Sequence, residues 1–534
     1  MDFIHQYPEW AFYSVFFICH KPLMDLILAC NTQKLNLYHF EEDLFSRNLS
    51  IQKNRVIQYF LKEWLPALVI SILLYFLIPT WKFNNGQSLH WLVVPVCMMF
   101  AWKYLTTDND AGTGENKNRI KIILLLSTLA TSFSPAFLAL FLNIGFYHFR
   151  SWQHHNQMPT RLIQITLTAL FINSLFTIFL KVNYSFITCY TLLLLLTWAM
   201  HYWAPFAQKI FLSLKNRKIW PIANDLHLII RAAQFYGWKP GKKSMDFLYA
   251  LVKRYRILLQ ICTLIGEGIV LFALFDFRLS VFSICFMTLM HVIIVLCSGI
   301  FFWEYMTTNL LIVFFLSSLS HLDTGLIFTQ ENGLIFIFLS FAFVLSGLIL
   351  WRPKGLAWWE TNLVGKINWT ATGLSGQKYP LTNRFLDPHE YAFGRFFGDF
   401  LLKRPVLYYH LGQVKSFKHK AALASFEGNI LAINQYVNQN GKDLFDSDKK
   451  QMHDLYLMSF FQNINKNFPK KSPWFLPNWL KAPGGQLYYL GSENAFNFQE
   501  KIIQLEVSFS EKIWIDEQWI TTYEAKLYTL EIPE

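Results

Sequence analysis

The sequence predicts an all-α, multi-pass membrane helical bundle of about eight to nine spans, with an appended C-terminal soluble α+β domain. Of its 534 residues, 53% are hydrophobic and only 15% are charged, whereas a soluble globular chain carries about 25% charged residues. The apolar residues are gathered into blocks, and most blocks approach the roughly 20 residues that cross a bilayer. After residue 352 no such block occurs, and prolines and alternating patterns take over.

Residues 1–64 are predicted to form an N-terminal soluble or interfacial segment with amphipathic helices. The first ten residues include acidic side chains and no basic cluster, and the apolar run at 12–18 is short and ends at His20 and Lys21. A secretory signal peptide has a basic start and a longer apolar region. We therefore expect no signal peptide here.

Residues 65–351 are predicted to form the multi-pass transmembrane domain. Its apolar blocks are 65–81, 89–103, 120–146, 162–181, 184–206, 257–275, 281–303, 310–319 and 334–351. The blocks at 89–103 and 310–319 are the shortest, which is why the predicted number of spans lies between eight and nine. Pro135 predicts a break inside the third block.

A hydrophilic stretch, residues 207–256, separates the fifth block from the sixth and contains eleven Lys and Arg residues. Its apolar residues Leu226, Ile229, Ile230 and Ala233 recur at helical spacing. We expect an amphipathic helix here that lies on the membrane surface.

Residues 352–534 are predicted to form the C-terminal soluble α+β domain. Residues 421–437 and 449–463 have the pattern of helices. Residues 486–490, 502–509 and 519–532 alternate in the manner of strands.

The charge balance and the cysteines limit the possible partners. The net charge is +12, and residues 352–534 contain 21 Lys and Arg against 18 Asp and Glu, so 12 − 3 = +9 lies before them. Such a distribution fits a bilayer with anionic headgroups, and the absence of a basic stripe with base-stacking aromatics predicts no nucleic acid partner. The seven Cys contain no CxxC pair, so we expect neither a zinc site nor a disulfide framework.

Ionisable residues at membrane depth are costly and are candidates for function. Four stand out, namely His155, Lys209, Glu267 and His291. Each also has a structural interpretation: Glu267 pairs across helices, His291 bonds a neighbouring helix, His155 sits at headgroup level beside Trp152, and Lys209 snorkels from a helix end.

The residue types suit acid–base chemistry on a membrane-soluble, weakly acidic substrate. A partly buried Lys holds its proton less tightly than an exposed one and can serve as a general base. A His nearby can orient an anionic oxygen, and low dielectric strengthens that contact. Glu267 lies between Gly266 and Gly268, so a backbone or a ligand can approach it closely.

Three segments carry a resemblance to a known family. Tyr202-Trp-Ala-Pro-Phe-Ala-Gln-Lys209 resembles the Tyr-x-x-Ala-Gly-x-x-Lys signature of vitamin K-dependent γ-glutamyl carboxylases. SWQHH at 151–155 is similar to that family's Ser-Trp-Asn-Asn-His, and 266–303 is similar in layout to its Gly-containing helix, charged turn, intramembrane His and Gly-x-Phe exit. The chain thus resembles the HTTM (horizontally transferred transmembrane domain) group, with an HTTM-like core at about 120–320.

The resemblance implies an enzyme, a quinol-dependent carboxylase of the carbon–carbon bond-forming lyase class. It makes Lys209 the base that activates reduced vitamin K or another quinol, with His155 as active-site partner and His291 in the core. Trp152 and Tyr202 then border the quinol. Oxygen and carbon dioxide are the implied co-substrates, and the C-terminal domain recognises a peptide or protein substrate. Abundant Lys, Asn, Ile and Phe point to a bacterial inner membrane.

Three alternatives remain open on the sequence. A lipid-linked glycosyltransferase would use the DxD pattern at 108–110 to bind a divalent cation. A di-iron desaturase or hydroxylase would use His148 and His154–His155, although its other His boxes are missing. A non-enzymatic transporter, receptor or scaffold of the HTTM group needs no catalytic residue.

Overall fold

The computed structural model describes residues 5–29, 65–78, 86–105, 118–148, 158–238, 240–346, 356–381, 399–408, 410–466, 468, 496 and 498–533. Over these ranges the chain is mostly helical, with a β-sheet near the C terminus.

Most helices of the bundle overlap the apolar blocks of the sequence, and the others lie within residues 1–64 and 207–256 or between 319 and 334. In chain order the helices are α1 (Pro8–Ala29), α2 (Leu65–Leu77), α3 (Gly86–Leu105), α4 (Asn118–Phe133), α5 (Leu138–His148), α6 (Met158–Ser174), α7 (Phe186–Asn216), α8 (Trp220–Ala223), α9 (Leu228–Tyr236), α10 (Lys242–Ile269), α11 (Phe277–Ser298), α12 (Trp303–Ser317), α13 (His321–Ile327) and α14 (Gln330–Ser346).

Four helices of the described ranges are long and apolar enough to cross a membrane. They are Met158–Leu180, Phe186–Asn216, Lys242–Phe272 and Phe277–Ser298, and a fifth is obtained if α12 and α13, bent by 111°, count as one span. The other apolar blocks form shorter helices, so the count of eight to nine spans stays a prediction.

Local sequence explains where several helices begin and end. Pro135 breaks the third block as predicted, and the Ser134 side chain accepts a hydrogen bond from the Ala136 N–H to cap the short turn that follows. Helix α1 packs against α6, and its Phe12 and Phe16 are fully buried in the core of the bundle. This helix falls within the segment predicted to be soluble or interfacial.

Helix α9 confirms the predicted helical spacing, but not its predicted place on the membrane surface. Ile230 and Ala233 are fully buried and pack in one cluster with Met245 and Tyr249 of α10 and with Val364 of the C-terminal region. The apolar face of α9 is thus covered by protein. Helices α10 and α11 and the C-terminal domain together supply the apolar area that sequence analysis assigned to the membrane surface.

In its described residues, the C-terminal domain combines an antiparallel sheet with three α-helices. Its strands are β1 (Trp359–Glu360), β2 (Leu363–Gly373), β3 (Lys378–Leu381), β4 (Gln413–Val414), β5 (Ile502–Ile515) and β6 (Gln518–Glu531). Its helices are α15 (Phe417–Ser425), α16 (Ile430–Asn440) and α17 (Ser447–Lys466). The four-stranded sheet has the order β3-β2-β5-β6, and β1 pairs with β4.

The predicted strands at 502–509 and 519–532 and the predicted helix at 449–463 are confirmed. The prediction of one continuous helix at 421–437 is wrong. That stretch is divided between α15 and α16, because Glu427 and Gly428 adopt positive φ (45° and 85°) and Asn429 caps α16. Strand β2 was not predicted. The strand predicted at 486–490 lies outside the described residues.

A glycine near the junction of β1 and β4 is required by both its backbone and its surroundings. Gly412 has φ +70°, and a Cβ there would lie 2.7 Å from the Leu363 carbonyl oxygen and 2.8 Å from Val364 Cγ1. Gly376 has φ +83°, with nothing within 4 Å of an added Cβ. These two glycines share the backbone strain and differ in the space available.

Replacing Gly412 with alanine should therefore lower the free energy of unfolding by about 3 kcal/mol or more, since a left-handed conformation and a backbone clash combine. The matched Gly376→Ala variant should lose only about 1 kcal/mol, the cost of the left-handed conformation alone. Thermal unfolding of the full chain in detergent compares them. Equal losses would mean that the backbone at 412 relaxes away from the clash.

Candidate functional site

Two of the charged residues that sequence analysis singled out, Lys209 and Glu267, form an ion pair. Lys209 of α7 donates a hydrogen bond from Nζ to Oε1 of Glu267, in the last turn of α10. Only 9% of the Lys209 side chain and 6% of the Glu267 side chain are exposed. The pair therefore combines two opposite charges that protein atoms shield almost completely from solvent.

An aromatic ring lies beside Lys209, and one carboxylate oxygen of Glu267 lacks a hydrogen-bond partner in the described part of the chain. Lys209 Nζ lies 5.1 Å from the centroid of the Trp220 ring, within cation–π range. Among the described residues, Glu267 Oε2 has no hydrogen-bond partner although it is buried. A carboxylate at a helix C terminus is also disfavoured by the helix dipole. Lys209 thus compensates the negative charge of Glu267, which the C-terminal end of α10 does not stabilise.

The glycines beside Glu267 are packed against side chains. The ring of Phe286 and, at 3.0 Å, the Met287 methyl carbon lie where a Cβ of Gly266 would be. The ring of Phe206 lies 3.2 Å from the position of a Cβ at Gly268. The close approach predicted from these glycines is therefore made by the neighbouring α7 and α11, which carry Phe206 and the Phe286–Met287 pair.

A second cluster forms around His291 of α11. Its ring centroid lies 5.7 Å from that of Tyr202, 5.2 Å from Phe302 and 5.8 Å from Tyr305. The imidazole is buried, and no described residue bonds its Nδ1 atom. His291 thus occupies an aromatic cage with one ring nitrogen available.

Tyr202 is held by a polar network in the same layer. Asn309 of α12 donates from Nδ2 to the Tyr202 hydroxyl at 3.0 Å and to Thr288 Oγ1 at 3.1 Å. Its Oδ1 accepts from Trp198 Nε1 at 3.1 Å. Asn309 therefore holds the side chains of Trp198 and Tyr202 of α7 in place.

The ion pair and the His291 cluster are two separate layers along one helix. Tyr202 and Lys209 are seven residues apart on α7, which corresponds to about 10.5 Å along the axis and nearly two full turns. Both therefore lie on similar faces of α7, with the ring of Phe206 between them in sequence. The fold thus places Tyr202 and Lys209 on one side of α7, with about two helical turns between the two layers.

The ion pair lies just inside the junction with the C-terminal domain. Trp220 donates from Nε1 to the Trp358 carbonyl oxygen at 2.8 Å, and its ring belongs to the core of the C-terminal domain. Gln260 Nε2 donates to the carbonyl oxygens of Pro221 and Asn224, at 3.1 and 3.2 Å. Trp220 thus contacts both Lys209 and the docked domain.

Buried charge continues on the domain side of this junction. Glu360 is 2% exposed, and burial raises the pKa of its carboxyl above the ordinary value, while hydrogen bonds from Trp358 and Asn224 oppose the shift. Lys420 Nζ lies 2.8 Å from Asp225 Oδ2. Burial lowers the pKa of His227 to about 4, against the attraction of Asp225. The junction is consequently polar and tightly bonded.

Sequence reasoning identified four of the central residues and missed two. Lys209, Glu267, His291 and Tyr202 fall in the two layers just described, whereas His155 and Trp152 lie outside the described residues. Trp220 and Asn309 were missed as site residues. No local pattern marks them, because their contacts arise from the chain reversal after α7 and from the packing of α12 on α7.

The metal-dependent alternatives find no support in the described ranges. No group of three or more His, Cys, Asp or Glu side chains there is arranged to hold a metal ion. The DxD pattern at 108–110 and His154–His155 lie outside the described residues, as does the side chain of His148.

Comparisons with protein-family models, with curated proteins and with solved structures found no match to this chain.

Proposed function

We propose that this protein is an integral membrane protein of the HTTM type, in which Lys209 removes a proton from a membrane-soluble quinol. The buried Lys209–Glu267 ion pair is the observation that supports this proposal. It joins a base candidate and a proton acceptor inside an apolar helical bundle. The His291 layer, two turns away on α7, supplies the remaining candidate contacts for the substrate.

The pair gives Lys209 a route to its basic form. An ammonium ion cannot accept a proton, so Lys209 must first lose one. Transfer of that proton to Glu267 converts two buried charges into a neutral amine and a neutral carboxylic acid, which removes the cost of desolvating both ions. The amine is then able to take the hydroxyl proton of a quinol held beside it.

The side chains around the pair fit an aromatic diol. Trp220 and Phe206 offer ring surfaces next to Lys209 and Glu267, and Glu267 Oε2 is a buried acceptor that has no partner in the described part of the chain. When bound, a reduced quinone supplies the electrons for a reaction with oxygen. Tyr202 and His291 would border the more apolar part of the molecule.

The full reaction that we propose is quinol-dependent carboxylation of a peptide or protein substrate, or a related oxidation. Carbon dioxide and oxygen are its co-substrates, and the C-terminal domain binds the acceptor. A bacterial inner membrane is the proposed location. The four helices that are long and apolar enough to cross a bilayer support the membrane assignment.

Lys209→Arg is the variant that tests the base most directly. It keeps a positive charge beside Glu267, but a guanidinium stays protonated and cannot act as a base. With purified protein in detergent, reduced vitamin K, oxygen and labelled bicarbonate, we expect chromatography to show quinone epoxide from wild type. Loss of a general base should reduce its rate at least about 100-fold in Lys209→Arg.

Lys215→Arg is the matched control, because Lys215 is an exposed residue on the same helix. Its epoxide rate should equal that of wild type. Equal rates for Lys209→Arg and wild type would exclude Lys209 as the base. If wild type makes no epoxide from several quinols, the quinol chemistry is excluded.

A non-enzymatic scaffold is the second candidate, and the packing at Gly266 and Gly268 favours it. Phenylalanine rings fill the space beside both glycines, which is how a structural ion pair would be enclosed. In that case Lys209 and Glu267 join α7 to α10, and the function of the protein lies with residues 352–534.

A further inference from the structure

The outer face of α10 carries an open groove where the helix is kinked. Tyr255, with φ −104° and ψ 17°, departs from helical geometry and divides the helix into a part that packs on the C-terminal domain and a part that enters the bundle. The groove has a volume of about 410 Å³. Its lining consists of cations on both sides of Tyr255, followed by aliphatic residues: Lys253, Arg254, Arg256, Ile257, Leu258 and Ile261.

The change from charged to apolar residues occurs within two turns. Ile257, Leu258 and Ile261 are 39%, 57% and 40% exposed, so they present aliphatic surface that no described part of the protein covers. Basic side chains directly beside exposed aliphatic ones match the boundary between lipid headgroups and acyl chains.

Two of the three cations are available for a ligand. Arg256 is paired with Asp225, with 2.9 Å between Nη1 and Oδ1. Lys253 and Arg254 have no carboxylate within ion-pair distance in the described ranges, and each lies over a tyrosine ring, Tyr249 at 5.7 Å and Tyr255 at 5.4 Å respectively. The groove therefore has an excess of positive charge at its polar end.

A neighbouring part of the chain also combines exposed cations with exposed aliphatic residues. Lys215 at the end of α7 and Lys218 just after it are exposed, and Ile219 and Ile222 follow with 63% and 52% exposure. The bonds from Gln260 to Pro221 and Asn224 hold this reversal beside the first apolar turn below the groove. Cationic and aliphatic side chains are thus exposed close together on two neighbouring segments of the chain.

We propose that this groove binds an anionic phospholipid of the leaflet that faces the C-terminal domain. Lys253 and Arg254 contact the headgroup phosphate, and the acyl chains lie along Ile257, Leu258 and Ile261. The charge of the groove and its adjoining aliphatic strip both match this single ligand class. The inference rests on the membrane-embedded part of the proposed function and is independent of the chemistry at Lys209.

Native mass spectrometry of the purified full chain in detergent tests the proposal, with phosphatidylglycerol and phosphatidylcholine of identical acyl chains as probes. Wild type should retain phosphatidylglycerol more strongly. Since each basic residue near an anionic lipid surface contributes roughly fivefold in affinity, Lys253→Gln/Arg254→Gln should weaken phosphatidylglycerol binding about 20- to 30-fold. Phosphatidylcholine binding should be unchanged.

Lys242→Gln/Lys243→Gln is the control, because it removes the same charge from exposed positions near the start of α10. It should leave both affinities unaltered. The proposal is overturned if wild type does not distinguish the lipids, if both double variants lose binding equally, or if millimolar inorganic phosphate displaces the lipid. Lys209→Arg should keep the lipid preference, so failure here and failure of the quinol assay are separate results.

Discussion

Replacing Glu267 with leucine should lower the free energy of unfolding by roughly 3–5 kcal/mol, because it leaves the buried Lys209 ammonium without a counter-charge. Lys209→Met should cost a similar amount by isolating the carboxylate. The double variant Lys209→Met/Glu267→Leu should return to within about 1 kcal/mol of wild type, since hydrophobic residues of similar volume replace a buried ion pair well. Unfolding in detergent of the four proteins gives the coupling free energy.

The exposed pair of Lys21 and Asp25 on α1 provides the control for this cycle. Their side chains are 68% and 56% exposed, and a surface pair four residues apart on a helix contributes about 0.5 kcal/mol or less. Asp25→Asn should therefore be almost silent. A double variant at 209 and 267 that is as unstable as the sum of its singles would show that the pair is not coupled, against the geometry described above.

Acidification should destabilise the wild-type protein in part through a buried histidine of α17. His453 is fully buried, and its ring lies 5.4 Å from Phe400 and 6.2 Å from Trp369. Burial, with a smaller contribution from Lys450, lowers the pKa of His453 from 6.5 to about 3. The unfolded chain thus binds a proton between pH 6.5 and about pH 3 that the folded chain does not, and stability falls as the pH falls through this range.

His453→Phe should remove this part of the acid sensitivity. Between pH 7 and pH 5 wild type should lose about 2 kcal/mol more than the variant, which corresponds to about 4–8 °C in the apparent Tm of a domain of this size. Melting the full chain in detergent at both pH values measures the difference. The exposed His321, changed to phenylalanine, is the control and should follow wild type. Parallel pH profiles for wild type and His453→Phe would mean that His453 is readily protonated in the folded protein.

The local pattern of the sequence was sufficient for the helices and for part of the sheet. Continuous apolar blocks predicted where the bundle helices lie, and Pro135 predicted the break in the third block. Alternation predicted the strands β5 and β6, although not that they pair with each other. These features depend on residues close together in the chain, where periodicity and proline geometry act directly. The helix predicted at 421–437 was wrong because Gly428 and its positive-φ neighbour end α15 at a point where hydrophobicity continues.

The sequence by itself determined which residues are costly to bury, namely Lys209, Glu267 and His291. Only the tertiary structure decided how these residues are accommodated: Glu267 neutralises Lys209, and aromatic rings enclose His291. It also decided that α10, α11 and the C-terminal domain cover the apolar face of α9. The physical reason is that the residue type alone sets the cost of burying a charge and the gain from burying an apolar face. The group that neutralises the charge or covers the face can come from any segment that the fold brings near. Lys209 and Glu267 are 58 residues apart, and only the packing of α7 on α10 makes them one site.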